Sequence, residues 1–302
     1  MKIAITGGTG FVGSHLAASL VRQGANVLII SRSGNASGDP RGITRITWEQ
    51  LDDSVALLEG THGIVNLAGE SINQRWTRAA KERILHSRLQ AASRIRQYVQ
   101  RLQIKPRVVL NASGMSVYGT SEFETFDENS PARPADFLSS VVMEWEKEAD
   151  RIPVERLVKI RVGLVLGSDG GAFPLMALPF KLGLGGRVGS GRQWLSWIHI
   201  RDMVRLLEFC LYHPEIGGPV NATAPNPVTN SEFSRILAKV LRRPNWFPVP
   251  EFVLKTVLGE LSSLLLEGQK VIPRKLMEHG FRFEYPELEP ALRQLTGKVS
   301  SA

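Results

Sequence analysis

Thr6-Gly7-Gly8-Thr9-Gly10-Phe11-Val12-Gly13 is the stretch that decides the fold. It lies between an apolar run, Lys2 to Thr6, and an amphipathic segment from about Gly10 to Gln23, so its Gly-x-x-Gly-x-x-Gly spacing falls where a strand turns into a helix. In such a turn Gly7 permits the tight reversal and Gly10 lets the backbone approach a ligand. Gly13 allows close helix-to-strand packing, and the helix N-terminus faces anionic phosphates. Glycine triplets alone are weak signals. The flanking strand and helix make this one a dinucleotide-binding turn, with Thr6, Phe11 and Val12 in the same cofactor-binding set.

Outward from the turn, Asn26 to Ser31 reads as a second strand, followed by strands at Gly63 to Leu67, Arg107 to Ala112 and Leu157 to Val162. Helical patterns at Thr77 to Leu102 and Phe137 to Arg151 separate them. This alternation predicts an α/β fold, a doubly wound parallel sheet of the Rossmann kind, over residues 1–165. From about Gly163 the texture changes. A Gly-rich stretch, Gly183 to Gly191, precedes Trp194 to Ile200, a helix from Arg201 to Tyr212, a strand at Pro219 to Thr223 and a helix over Ser231 to Arg242 that Thr229 or Asn230 can cap. Residues 166–302 are expected to form a smaller, mostly helical substrate or cap region, with 196–224 returning to the first domain.

The second strand ends Ile30-Ser31-Arg32-Ser33, without the Asp or Glu that accepts hydrogen bonds from an adenosine ribose. Arg32 there can pair with a 2′-phosphate, so the expected cofactor is NADP(H), with Ser31 and Arg32 at its adenosine end. Leu67 and Arg161, at the ends of expected strands, and Ala68, Gly69, Glu70 and Arg75, which follow one, are assigned to the cofactor edge, where an arginine can neutralise a diphosphate or a substrate.

The 302 residues are 43% hydrophobic and 22% charged, enough to bury a substantial core. Apolar runs such as Val27 to Ile30 fall far below the roughly 20 residues that cross a bilayer, and no secretory pattern opens the sequence. A single cysteine, Cys210, excludes an intramolecular disulfide and a cysteine metal cluster. A cytoplasmic protein without a metal site is expected. The net charge of +8 comes from arginines scattered over Arg75 to Arg107 and Arg187 to Arg205 rather than from a basic tract. Neither nucleic acid nor membrane is an expected partner.

The glycine turn, Asn66-Leu67-Ala68-Gly69 and Trp197-Ile198-His199-Ile200-Arg201-Asp202 resemble the extended short-chain dehydrogenases/reductases, the group of sugar-nucleotide epimerases and dehydratases. Arg75-Trp76-Thr77 with Lys81, Ser87-Arg88, Gly189 to Trp194, and the tail from Leu258-Gly259-Glu260 through Leu276 to Phe281 narrow the resemblance to the YfcH-like epimerase family. It spans nearly the whole chain. It implies a small polar, sugar-like substrate and, as in many relatives, a homodimer through the helices at Thr77 to Leu102 and Phe137 to Arg151.

That group's chemistry uses a Tyr-x-x-x-Lys pair, whose lysine lowers the tyrosine pKa. Here the residues four places after Tyr98, Tyr118, Tyr212 and Tyr285 are Leu102, Glu122, Ile216 and Glu289, so the pair is missing. Ser113, with Ser116 as a competitor, and Tyr118 are the remaining catalytic candidates. Gln193, Trp194, Trp197 and His199 are expected to wall a substrate pocket, and Asp202 to cap its helix. The expected function is an NADP(H)-dependent oxidoreductase or epimerase-like enzyme; the alternative is a catalytically silent NADP(H) sensor.

Overall fold

A computed structural model describes residues 1–34 and 41–297. Seven parallel strands form one sheet: β1 (Lys2–Thr6), β2 (Asn26–Ser31), β3 (Ile43–Thr47), β4 (Gly63–Asn66), β5 (Val108–Gly114), β6 (Arg156–Val162) and β7 (Gly218–Ala222). Their order is β7-β6-β5-β4-β1-β2-β3. The chain winds outward from β1 in one direction and from β4 in the other, so the crevice at the C-terminal ends of β1 and β4 is the topological switch point.

Period-two alternation explains the near-continuous apolar strands, because both sheet faces are covered. Ile3, Ile5, Ile29, Val65, Leu110, Ile160 and Val220 pack with helices Phe11–Arg22 and Ile200–Tyr212. Ala4, Leu28, Ile30, Ile64 and Val109 pack with Ile95, Tyr98 and Val99 of helix Arg78–Arg101. Local capping sets the helix starts. Thr77 accepts from the Ala80 N–H, and Asp136 with Ser139 forms a capping box at helix Phe137–Ala149. Of the two candidates at helix Asn230–Leu241, Thr229 is the cap, in a box with Glu232.

The edge strand β3 is an addition to the sequence-based expectation. Packed on one side only, it reads Ile-Thr-Arg-Ile-Thr, too short and too polar for a clear apolar run. Past β6, helices Phe173–Lys181, Asn230–Leu241 and Leu288–Leu295 enclose a second core around Phe180, Trp197, Phe233 and Leu292. The C-terminal segment then returns to the sheet. Lys270–Val271 pairs with Thr125–Phe126, the Asn221 amide donates to Ile272 O at 3.0 Å, and Lys275 Nζ donates to the carbonyls of Gly217 and Pro219 at 2.7 Å. Among the described residues no helix is long and apolar enough to cross a membrane.

Candidate dinucleotide site and its surroundings

The glycine turn sits at the switch point, and sterics separate the roles of its glycines. Gly7 has φ +66°, and a Cβ there would lie 2.6 Å from Leu67 O, so both conformation and the packing of β1 on β4 require glycine. At Gly13 a Cβ would meet Gly7 O at 2.3 Å. At Gly10 it would meet only Gly7 O, at 3.2 Å, and the residue is exposed, so this glycine leaves its space open to a ligand. No side chain caps helix Phe11–Arg22, whose N-terminal N–H groups therefore form a ready anion site.

Phe11 anchors the turn to a loop the sequence did not connect with it. Cβ atoms at Gly167, Gly170 and Gly171 would fall 2.4, 2.4 and 2.9 Å from its ring, and His15 meets Asp169 at 2.9 Å beside it. Gly170→Ala is expected to force the ring aside and cost about 1 to 3 kcal/mol. Gly217→Ala, with open space around it, is the control. Denaturant unfolding of both variants measures the difference.

A buried ladder ties the strand ends together. Thr6 Oγ1 donates to Asn66 Oδ1 at 2.6 Å and accepts from the Ala68 N–H at 3.3 Å, while Asn66 Nδ2 donates to Asn111 Oδ1 at 2.6 Å. The three residues are register partners across β1, β4 and β5 and have no exposed surface. They fix the start of the Leu67-Ala68-Gly69-Glu70 loop. Asn66 and Asn111 were not among the expected site residues, although an amide at the end of an apolar strand signals a buried partner. At the end of β2, Ser31 Oγ donates to Ser33 O, and Arg32 is exposed.

Ser113, Tyr118 and Arg161 come together, but in the interior. Ser113, Arg161 and Asn221 are register partners across β5, β6 and β7, so their side chains share one face. Arg161 donates through Nε and Nη2 to the two Glu146 oxygens at 2.9 and 3.0 Å, and through Nη1 to the Tyr118 hydroxyl at 2.9 Å. Ser113 Oγ donates to Glu146 Oε1 at 2.6 Å, and Tyr118 OH donates to Asn221 Oδ1 at 2.7 Å. Burial alone would raise the Glu146 carboxyl, but Arg161, Ser113 and Lys159 outweigh it and hold it below the ordinary value.

Two expectations meet a different setting here. The fork of Arg161, expected on the cofactor edge, is paired with Glu146. Burial raises the Tyr118 phenol against the opposing pull of Arg161, the reverse of what a phenolate base needs. Glu146 was missed in the sequence. Its signal is an acid on the otherwise apolar stripe Leu138, Val141, Val142, Trp145 and Ala149.

The expected pocket wall is likewise redistributed. Trp197 is fully buried and donates to Asn226 O at 3.1 Å. His199 caps its own helix through Nδ1, meets Gln294 Oε1 at 2.9 Å through Nε2 and stacks on Tyr285 at 4.1 Å; burial pushes its imidazole down to about 4. Asp202 is not the cap but accepts from the N–H groups of Glu284 and Tyr285 at 2.7 and 2.8 Å. Gln193 donates to Val188 O and Leu265 O, and the Trp194 indole to Glu122 O. All four expected pocket residues thus fasten segments together.

Glu70 receives a Gln74 amide hydrogen at 3.4 Å, and Arg75 is exposed on the same loop. Beyond it a cleft of about 480 Å³ separates Trp76 and Phe137 from the C-terminal residues Glu251, Glu260 and Leu266, bridged by the ion pair of Lys81 with Glu260. Among the described residues no cluster of side chains suits a metal ion.

Residues 3–140 match the NAD dependent epimerase/dehydratase family, and residues 249–295 match a domain of unknown function, DUF1731. The epimerase family protein YfhF of Bacillus subtilis is 44% identical over 300 residues, 98% of each chain. A crystal structure of the human epimerase family protein SDR39U1 with NADPH superposes with a TM-score of 0.92 at 37% identity, covering 99% of this chain and all of that one. A nucleoside-diphosphate sugar epimerase from Corynebacterium glutamicum superposes at 0.79 with 29% identity, covering 98% of this chain and 58% of its own length. With its glycine turn at the switch point and relatives this similar along nearly its whole length, the chain belongs to the NAD-dependent epimerase/dehydratase family, among members that carry the DUF1731 segment.

Proposed function

We propose that this chain binds NADP(H) at the switch point and acts in the cytoplasm as an oxidoreductase or epimerase-like enzyme on a small polar, sugar-like substrate, without a Tyr-x-x-x-Lys pair. The motifs around Arg75 and Ser87 support membership of the YfcH-like branch. The observation that carries the cofactor reading is the uncapped N-terminus of helix Phe11–Arg22 beside the open face of Gly10. Its N–H groups would hold the diphosphate, the buried ladder would keep the Leu67–Glu70 loop in place, and Arg32 would take the 2′-phosphate. The nicotinamide, when bound, supplies hydride chemistry. The NADPH in the human relative supports this choice.

The silent-sensor reading draws support from one arrangement: the hydroxyls of Ser113 and Tyr118 are spent on Glu146 and Asn221. Stereospecific hydride exchange into bound NADP(H), run with a library of sugar-like substrates, separates the two. Exchange with any of them establishes an enzyme; none, with the cofactor bound, favours the sensor.

Cofactor choice has its own test. A charge-assisted contact is worth on the order of 1.5 to 3 kcal/mol, so Arg32→Ala should weaken NADPH roughly tenfold to a hundredfold and leave NADH nearly unchanged. Ser31→Asp added to it should reverse the preference. Calorimetric titration of both cofactors reads it, and equal losses for the two would remove the NADP assignment.

A further inference from the structure

The Ser87-Arg88 pair on helix Arg78–Arg101 is a motif that the dinucleotide turn leaves unexplained. Ser87 Oγ accepts from the Glu70 N–H at 2.9 Å, and Arg88 Nη1 donates to the carbonyls of Glu70 and Ile84 at 3.0 and 2.9 Å. Both residues clamp the loop that follows β4. The clamp uses one nitrogen of the guanidinium. Among the described residues its Nε–Nη2 edge, the fork that matches carboxylate and phosphate oxygens, has no acceptor and no carboxylate within ion-pair distance.

The setting of this half-buried side chain favours a partner for that edge. Arg88 Cζ lies 5.3 Å over the ring of Trp145, itself 5% exposed. Burial pushes the guanidinium down to about 10, with only the neighbouring Glu70 charge opposing. Desolvated charges are normally paired.

Gly69 points to where the partner enters. Its φ lies outside the left-handed region, so its backbone does not need glycine. Space does. A Cβ there would lie 3.1 Å from Arg88 Cζ and 3.4 Å from Nε. Gly69 is exposed, so a bare backbone here keeps the guanidinium uncovered from the crevice side. Leu67, two residues earlier, packs against Gly7 of the dinucleotide turn.

We propose that Arg88, left uncovered by Gly69 at the end of β4 and backed by Trp145, binds an anionic ligand group, a phosphate or carboxylate carried by the dinucleotide or by the substrate. Only the first source rests on the cofactor reading above. In either case Arg88 places a fixed positive charge beside the loop that follows β4.

The test is calorimetric titration of NADPH into the apoprotein, and of inorganic phosphate into both the apoprotein and the NADPH complex. Wild type is compared with Arg88→Lys, Arg88→Met and Gly69→Ala. The expected result is a tenfold to hundredfold loss in Arg88→Met, a smaller loss in Arg88→Lys, which keeps the charge without the fork, and a severalfold loss in Gly69→Ala. A loss for NADPH alone assigns the anion to the cofactor; a loss for phosphate in the NADPH complex assigns it to the substrate. Unchanged affinities for both in folded variants overturn the proposal. Should Arg88→Met fail to fold, the Nε–H resonance of Arg88 in the wild-type protein decides: it shifts on addition of NADPH or phosphate, or the proposal is wrong. If wild type binds no NADPH, the cofactor reading fails while the phosphate titration of the apoprotein still tests Arg88.

Discussion

Glu146→Ala is expected to destabilise the protein by about 3 to 5 kcal/mol, because it strands the Arg161 guanidinium without its counter-ion between the sheet and helix Phe137–Ala149. Each side chain of the pair is at most 10% exposed, so water cannot replace the lost partner. The double variant Glu146→Leu with Arg161→Met should recover much of the loss, since removing both charges also removes the desolvation cost. The pH dependence has a definite sign. The folded-state pKa of Glu146 is lowered, so its contribution is fully present above the ordinary glutamate range, near about 4.3, and is lost as pH falls through the lowered value. Unfolding midpoints measured from pH 7 down to pH 3 should fall in wild type and fall less in the double variant. A Glu146→Ala midpoint matching wild type at pH 7 would remove the ion pair from the account of stability.

Gly10→Val should abolish dinucleotide binding, a loss of more than about a hundredfold, while the fold survives. Only Gly7 O stands near its Cβ, at 3.2 Å, and the rest of the added side chain fills the space above the helix N-terminus. Gly13→Val should instead fail to fold stably, since its Cβ would sit 2.3 Å from Gly7 O and 2.7 Å from Gly8 Cα. Far-ultraviolet circular dichroism and NADPH titration on the two variants separate structure from binding. A folded Gly10→Val that binds NADPH as wild type does would displace the site.

The contrast between these glycines shows what the sequence could carry. Strands β1 and β2 were readable to the residue, because burial on both faces writes an uninterrupted apolar run between turn formers. The dinucleotide turn was readable because all of its parts are local. The interior network was not. Arg161 ends a strand and looks like an edge residue; only the register that sets it level with Ser113 and Asn221 shows it facing Glu146. The contacts of His199 were hidden for the same reason. Its partner Gln294 lies 95 residues further along the chain, and no local pattern announces that contact. What the sequence hides is the pairing of polar groups that folding buries together.

The return of the C-terminal segment to the sheet also sets the timing of synthesis. When β7 emerges from the ribosome all seven strands exist, yet the Asn221 amide, the Asp202 carboxylate and the His199 imidazole still await Ile272, Glu284, Tyr285 and Gln294. A nascent chain at that stage holds buried polar groups without partners and an uncovered second core, the kind of species that chaperones retain. Native closure therefore belongs to the last stretch of translation, and a premature stop near residue 249 would yield all seven strands of the sheet without the segment that closes them.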